Sequence, residues 1–142
     1  MFVGEYEYKV DNKGRLPLPP KFRKEIEESV MLTTGADNCI IAYTKDEFAK
    51  LTQSQTQTSL VSSEDQRKFN RYIFSNTQEA AVDNQGRIAL PSGLRERYGI
   101  SDEAAVVGVN NSFEIWNPGN WQSQKMSIED ASALINRMGS KQ

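Results

Sequence analysis

One seventeen-residue pattern is written twice in this chain. Residues 7 to 23 read EYKVDNKGRLPLPPKFR and residues 79 to 95 read EAAVDNQGRIALPSGLR, with nine of seventeen positions identical at an offset of 72. Each copy holds Val-Asp-Asn-x-Gly-Arg, an apolar residue, x-Leu-Pro, and a further Arg four residues after the proline. A repeat this long within 142 residues implies one supersecondary unit duplicated to build a single pseudo-symmetric body. With one residue inserted near 99–102, residues 38–43 fall over 111–116 and Phe48 falls over Trp121, so each half ends in a strand closed by an aromatic residue. Halves of about 70 residues would be marginal alone, which favours two halves sharing one core. The expected organisation is therefore a single domain over 1–142. A first half at 5–51 is followed by a linker and helix at 52–75, a second half at 76–122, and a C-terminal helix and tail at 123–142.

The local reading gives the unit its shape. Tyr6, Tyr8 and Val10 alternate with Glu5, Glu7 and Lys9, the period of a half-buried strand. Asp11-Asn12-Lys13-Gly14 supplies turn chemistry, since Asp and Asn bond their own backbone and Gly accepts the positive φ of a bulged hairpin loop. Arg15 to Leu18 restarts an extended segment, and Pro19-Pro20 opens a helix expected to run to about Glu28. Strands follow at 30–33 and 39–43, then a helix from a Thr44/Glu47 capping box through about Leu51. The polar run 52–59 reads as an exposed linker or frayed helix end, and a second capping box, Ser63 with Gln66, opens a helix to about Phe74. The second half repeats the plan: a strand at 77–82, a loop from Asp83 to Gly86, a strand at 87–89, and a helix from Pro91 stopped by Gly99 with Ile100 behind it. Strands near 104–109 and 112–116 turn at Asn110-Asn111. Residues 127–138 set Ile128, Ala131, Leu134, Ile135 and Met138 on one helical stripe, which needs a surface on its own body or on a neighbouring subunit.

Composition removes several classes of function. The chain has no histidine, hence neither the usual general base nor the commonest metal ligand, and its carboxylates are scattered or already placed in loops. Neither catalytic residues nor a metal, cofactor or small-molecule substrate is expected. Cys39 stands alone in an apolar strand and reads as core, with no disulfide framework around it. No apolar run approaches the roughly 20 residues that span a bilayer, and the N-terminus lacks a charged stretch followed by an apolar one. Cytoplasmic residence without membrane contact is the expectation.

Net charge is only −2, but its distribution is uneven. Residues 9–24 hold Lys9, Lys13, Arg15, Lys21, Arg23 and Lys24 against Asp11, a local balance of +5; residues 81–97 reach only +1. Two twisted strands fit the major groove and Arg can donate bidentately to guanine O6 and N7, so a hairpin loop carrying Lys13 and Arg15 suits duplex DNA. The structural alternative stands beside it, because Asp and Arg four apart in a hairpin commonly form an ion pair. Arg15, Lys13, Arg87, Asn12, Gln85 and Lys9 are the candidate DNA-binding residues, with Asp11, Gly14, Asp83 and Gly86 holding the loops. Lys21, Arg23 and Lys24 read as a solvated helix face, and Trp116 and Trp121 as core rather than base-stacking platforms.

At the paired Val-Asp-Asn-x-Gly-Arg motifs followed by Leu-Pro, the sequence resembles the MraZ family of bacterial transcriptional regulators, from Met1-Phe-Val-Gly-Glu-Tyr through Phe113-Glu-Ile-Trp116. The resemblance implies an α+β fold containing a swapped-hairpin barrel like that of AbrB-type regulators, with both halves fused in one polypeptide. It maps an Asp-x-x-x-Arg signature onto Asp11 with Arg15 and onto Asp83 with Arg87. It further implies a homo-oligomeric ring, associated with the nucleoid, that binds short direct repeats in double-stranded DNA upstream of division and cell-wall genes. Two departures stand out: Tyr8 occupies a position where relatives often carry His, and Gln85 stands where the first copy has Lys13. The competing readings are an AbrB-type antitoxin, which usually carries one copy and a disordered tail, and a ring-forming structural protein without specific DNA binding.

Overall fold

The computed structural model describes residues 1–55 and 63–140. The first repeat contributes β1 (Glu5–Lys9), β2 (Arg15–Pro17), α1 (Pro20–Arg23), β3 (Ser29–Thr33), β4 (Ile40–Thr44) and α2 (Lys45–Gln55). After α3 (Glu64–Ser75), the second repeat contributes β5 (Gln78–Ala81), β6 (Arg87–Ala89), α4 (Ser92–Tyr98), β7 (Glu103–Gly108) and β8 (Ser112–Trp116). The chain continues through α5 (Pro118–Gln124) and α6 (Ile128–Gly139).

The fold is α+β, and its strands pair across the repeat. Six strands form one antiparallel sheet in the order β1-β7-β8-β4-β3-β5, and β2 pairs with β6 in a separate two-stranded ribbon. Exchanging each strand for its repeat counterpart turns the six-strand order into its own reverse. Register obeys the same symmetry. Leu16 meets its counterpart Ile88 at the middle of the ribbon, and Ile41 meets its counterpart Glu114 at the centre of the sheet. The barrel expected from the family differs in one respect: β1 and β5 remain edges, so neither sheet closes on itself. Three residues of β2 are too few to bridge both edges of a six-stranded sheet, and they serve as a lid over its apolar face.

Burial explains the interleaving. Strand alternation sends Leu16 and Ile88 inward, and both are fully buried with Leu18, Val30, Leu32, Ile40, Val106, Phe113 and Ile115, drawn from both repeats into one cluster. Phe22 sits at its centre, with ring centroids 5.0 Å from Phe2, 5.5 Å from Tyr6 and 5.2 Å from Phe113. A second cluster on the opposite side of the sheet holds Cys39, Ala105, Val107 and Trp116. Burial pushes the Cys39 thiol far above its ordinary range, as an inert core residue requires. The Trp116 and Trp121 rings lie 5.7 Å apart, and Trp121 Nε1 donates to Glu5 Oε2 at 2.6 Å, fastening α5 to β1.

The first helix is shorter than the sequence suggests. α1 ends at Arg23 rather than near Glu28, and Glu25 and Ile26 continue with three-residue turns onto Phe22 and Arg23. Glu25, Glu27 and Glu28 would crowd the negative end of a longer helix, and burying Ile26 turns the chain down into β3. α4 runs further because Gly99, at φ 65°, caps it and tucks Ile100 behind, as the sequence anticipates. Both N-caps form, with the N–H of Glu47 donating to Thr44 Oγ1 and that of Gln66 to Ser63 Oγ, each at 3.1 Å, while the Gln66 side chain donates to Asn70 Oδ1 rather than back to the cap. Of the run read as an exposed linker or frayed helix end, residues 52–55 continue α2, and residues 56–59 lie outside the described residues.

Candidate nucleic-acid interface

The two signature loops are built identically. Asp11 C=O accepts the N–H of Gly14 at 2.9 Å, and Asp11 N–H reaches Arg15 C=O at 3.1 Å, a turn followed by a bulge. The second loop repeats this with Asp83, Gly86 and Arg87 at 2.9 and 2.8 Å. Gly14 and Gly86 take φ of 77° and 75°, the left-handed region that disfavours any side chain.

Each aspartate then fixes its own arginine. Asp11 Oδ1 accepts the backbone N–H groups of Lys13 and Arg15 at 2.9 Å each, and Oδ2 accepts Arg15 Nε at 2.7 Å. Asp83 does the same for Gln85 and Arg87, with Arg87 Nε at 2.9 Å. The backbone N–H of Arg15 leads in holding the Asp11 carboxyl at about 2, well below its ordinary 3.8, and the Arg15 side chain adds to the effect. Asp83 is lowered for the same reasons, the Arg87 backbone first. The ion pair considered from sequence is thus present in both copies. In each copy the aspartate engages Nε, on one edge of the guanidinium.

The ribbon brings the two arginines together. Arg15 lies opposite Ala89 and Pro17 opposite Arg87, so all four project from the face that Leu16 and Ile88 leave to solvent. Arg87 Nη1 also lies 3.8 Å from Asp11 Oδ2, linking the two loops, and the Arg87 side chain is less exposed than that of Arg15, 23% against 35%. Lys13, Asn12 and Gln85 are exposed at the loop tips, which the antiparallel pairing places at opposite ends of the ribbon. Lys9 stands apart at the end of β1, exposed and in register with Glu103 of β7.

Arg23 and Arg95 carry more than the sequence reading assigned. Arg23 is not a freely solvated side chain: its Nε donates to Leu18 C=O at 3.0 Å and its guanidinium lies against Gly86 of the other repeat. Arg95 mirrors it, donating to Leu90 C=O at 3.1 Å and lying against Gly14. Each loop is therefore roofed by an arginine from the opposite half, and both roofs add positive charge beside Arg15 and Arg87. The signal was present in the sequence as the Arg four residues after each proline. Lys21 and Lys24 are exposed, as expected.

The family model described as "MraZ protein, putative antitoxin-like" matches this chain over residues 1–71 and again over 73–138. The chain belongs to the MraZ family. Proteins named transcriptional regulator MraZ are similar to it over nearly its whole length. The one from Caldicellulosiruptor saccharolyticus is 40% identical over 143 aligned residues, covering 98% of this chain and 99% of that protein. That of Roseiflexus castenholzii is 39% identical, covering 95% and 93%, and that of Alkaliphilus oremlandii 42% identical, covering 86% and 85%. The two matched segments divide this MraZ chain between its repeats, so that each segment contains one Asp-x-x-x-Arg loop. Among the described residues no group of His, Cys, Asp and Glu is placed to hold a metal ion, and no helix is long and apolar enough to cross a membrane.

Proposed function

We propose that this chain is a sequence-specific DNA-binding regulator of transcription that reads duplex DNA with the outward face of the β2–β6 ribbon. The observation that carries the reading is the placement of Arg15 and Arg87 on one face of a two-stranded antiparallel ribbon, each oriented by its own aspartate. A ribbon of this width enters the major groove, and an arginine held at Nε keeps its terminal nitrogens for guanine O6 and N7. Lys13 and Asn12 at one end and Gln85 at the other flank the bases, where phosphates run; Arg23 and Arg95 raise the local potential. Lys9 supplies further charge at the margin.

Both repeats act as one pseudo-symmetric unit over residues 1–142, and several such units assemble into a ring. One ribbon makes few base contacts, and linked ribbons multiply affinity when their spacing matches direct repeats in a promoter of division and cell-wall genes. Such a protein works in the cytoplasm on the nucleoid. A gel shift with a fragment from upstream of those genes tests the reading. The wild-type chain should bind it specifically, and Arg15→Ala should lose at least tenfold, on the order of 1–3 kcal/mol for a bidentate pair. Absence of binding at low salt, or unchanged affinity in Arg15→Ala, would overturn it.

A further inference from the structure

The two roofing arginines are wired crosswise to the signature loops. Leu90, buried in the shared core, donates its N–H to Gly14 C=O at 2.8 Å and accepts Arg95 Nε on its own C=O at 3.1 Å. The Arg95 guanidinium then returns to lie against Gly14. Leu18 closes the mirror-image circuit: its N–H donates to Gly86 C=O at 3.0 Å, its C=O accepts Arg23 Nε at 3.0 Å, and the Arg23 guanidinium lies against Gly86. One core leucine thus holds both a loop and its roof, and in each case the loop belongs to the opposite repeat.

The glycine is the joint on which each reading arginine turns. Gly14 immediately precedes Arg15, and Asp11 grips Arg15 at both its backbone N–H and its Nε, so a change of Gly14 dihedrals moves the guanidinium relative to its carboxylate. A glycine at φ 77° has no Cβ to limit its conformations, so the restriction must come from outside the loop. The Arg95 guanidinium supplies it by occupying the space a side chain would fill. Among the described residues neither Arg23 nor Arg95 forms an ion pair with a carboxylate, in contrast to Arg15 and Arg87. Each roof is seated by its Nε–H on a leucine carbonyl and by the flat fit of the guanidinium over a glycine, and a lysine ammonium offers neither.

We propose that Arg95 is the positioning residue for Arg15 and Arg23 the positioning residue for Arg87, so that the discrimination exerted by each loop is set by the repeat that does not contain it. Displacements on the order of 0.5 Å or 10–20° are enough to spoil a bidentate contact with guanine. Neither half presents its reading arginine without the roof that the other supplies. The part that concerns bases rests on the DNA-reading function proposed above; the crosswise coupling does not.

Arg95→Lys and Arg23→Lys, each made in the full chain, test it, because lysine keeps the charge and removes the Nε–H and the flat fit. Hydrogen exchange followed by mass spectrometry on the free protein gives the first readout. Arg95→Lys should speed exchange of the amides of residues 13–15 about threefold and leave those of 85–87 at the wild-type rate, and Arg23→Lys should do the reverse. Acceleration of the loop in the substituted repeat, of both loops equally, or of neither would overturn the proposal.

The second readout is a competition gel shift between the promoter fragment and a random duplex of equal length. Arg95→Lys should lower discrimination about fivefold with the salt dependence unchanged, since no charge is lost. Combined with Arg15→Ala it should cost nothing more, whereas combined with Arg87→Ala the two losses should multiply. Full discrimination in Arg95→Lys, or a loss that multiplies with that of Arg15→Ala, would overturn the proposal and leave the roofs as sources of charge. A crosswise exchange pattern in a chain that binds no DNA specifically would remove the proposed function and leave the coupling standing.

Discussion

Arg95 lies across Gly14 so closely that a methyl group on the glycine would sit 2.7 Å from the guanidinium Nε. The same holds for Arg23 and Gly86, and both glycines have positive φ. Gly14→Ala should therefore destabilise the fold by about 1–3 kcal/mol, through backbone strain and a displaced arginine together. Urea denaturation measures it. Adding Arg95→Ala to Gly14→Ala should recover the steric share and leave the φ cost, whereas additive losses would show that the roof and the loop are independent.

The shared position of the two arginines does not make them equal. Arg15 is the more exposed, and Arg87 also leans toward Asp11. Arg15→Ala should remove most sequence discrimination in a competition gel shift, and Arg87→Ala should cost less affinity and more stability. Arg15→Lys should not restore discrimination, because an ammonium cannot hold Asp11 with one edge and a base with the other. Full rescue by lysine would mean that Arg15 acts as a point charge on phosphate.

Lys13 and Gln85 occupy equivalent loop tips, one charged and one neutral. Lys13→Gln should weaken binding to all sequences alike and flatten the salt dependence by roughly one unit per lost phosphate contact. Gln85→Lys should strengthen non-specific binding at low salt, an effect that fades as salt rises. No response to Gln85→Lys alongside a sharp loss in Lys13→Gln would place only the first loop on the duplex.

Acid should loosen the loops before it unfolds the sheet. The Asp11 carboxyl is lower in the folded chain, about 2, than its ordinary 3.8, so its contribution is complete above pH 4 and is lost as pH falls toward 2. Asp83 shifts the same way. Asp11→Asn should lower stability at neutral pH and flatten the acid limb of the stability curve between about pH 4 and 2. An acid limb identical to wild type would show that the carboxylate gains nothing from Arg15 on folding.

The sequence was most legible where local chemistry acts alone. Asp-Asn-x-Gly encodes a bulged turn through side-chain acceptors two and four residues away, and Ser63 and Thr44 encode caps within four residues. Alternation in β1 and β2 likewise reports a buried face. What local pattern cannot encode is which strand lies beside which. Whether β2 bonds to its own half or to β6 leaves Arg15-Leu16-Pro17 unchanged, so the open sheet with a separate ribbon was not readable. The same blindness hid the role of Arg23, whose partner Gly86 belongs to the other repeat. The length of α1 was misread because Ile26 answers to the core, while its spacing from Phe22 suits a continuing helix.

The strand β1 has its partner in the other repeat. Tyr8 finds Ala104, and Phe2 bridges to Asn110. The first repeat by itself can pair β3 with β4, but its β1 edge and its β2 lid are completed only by the second repeat. Any product cut between the repeats therefore exposes unpaired β edges to aggregation and proteolysis.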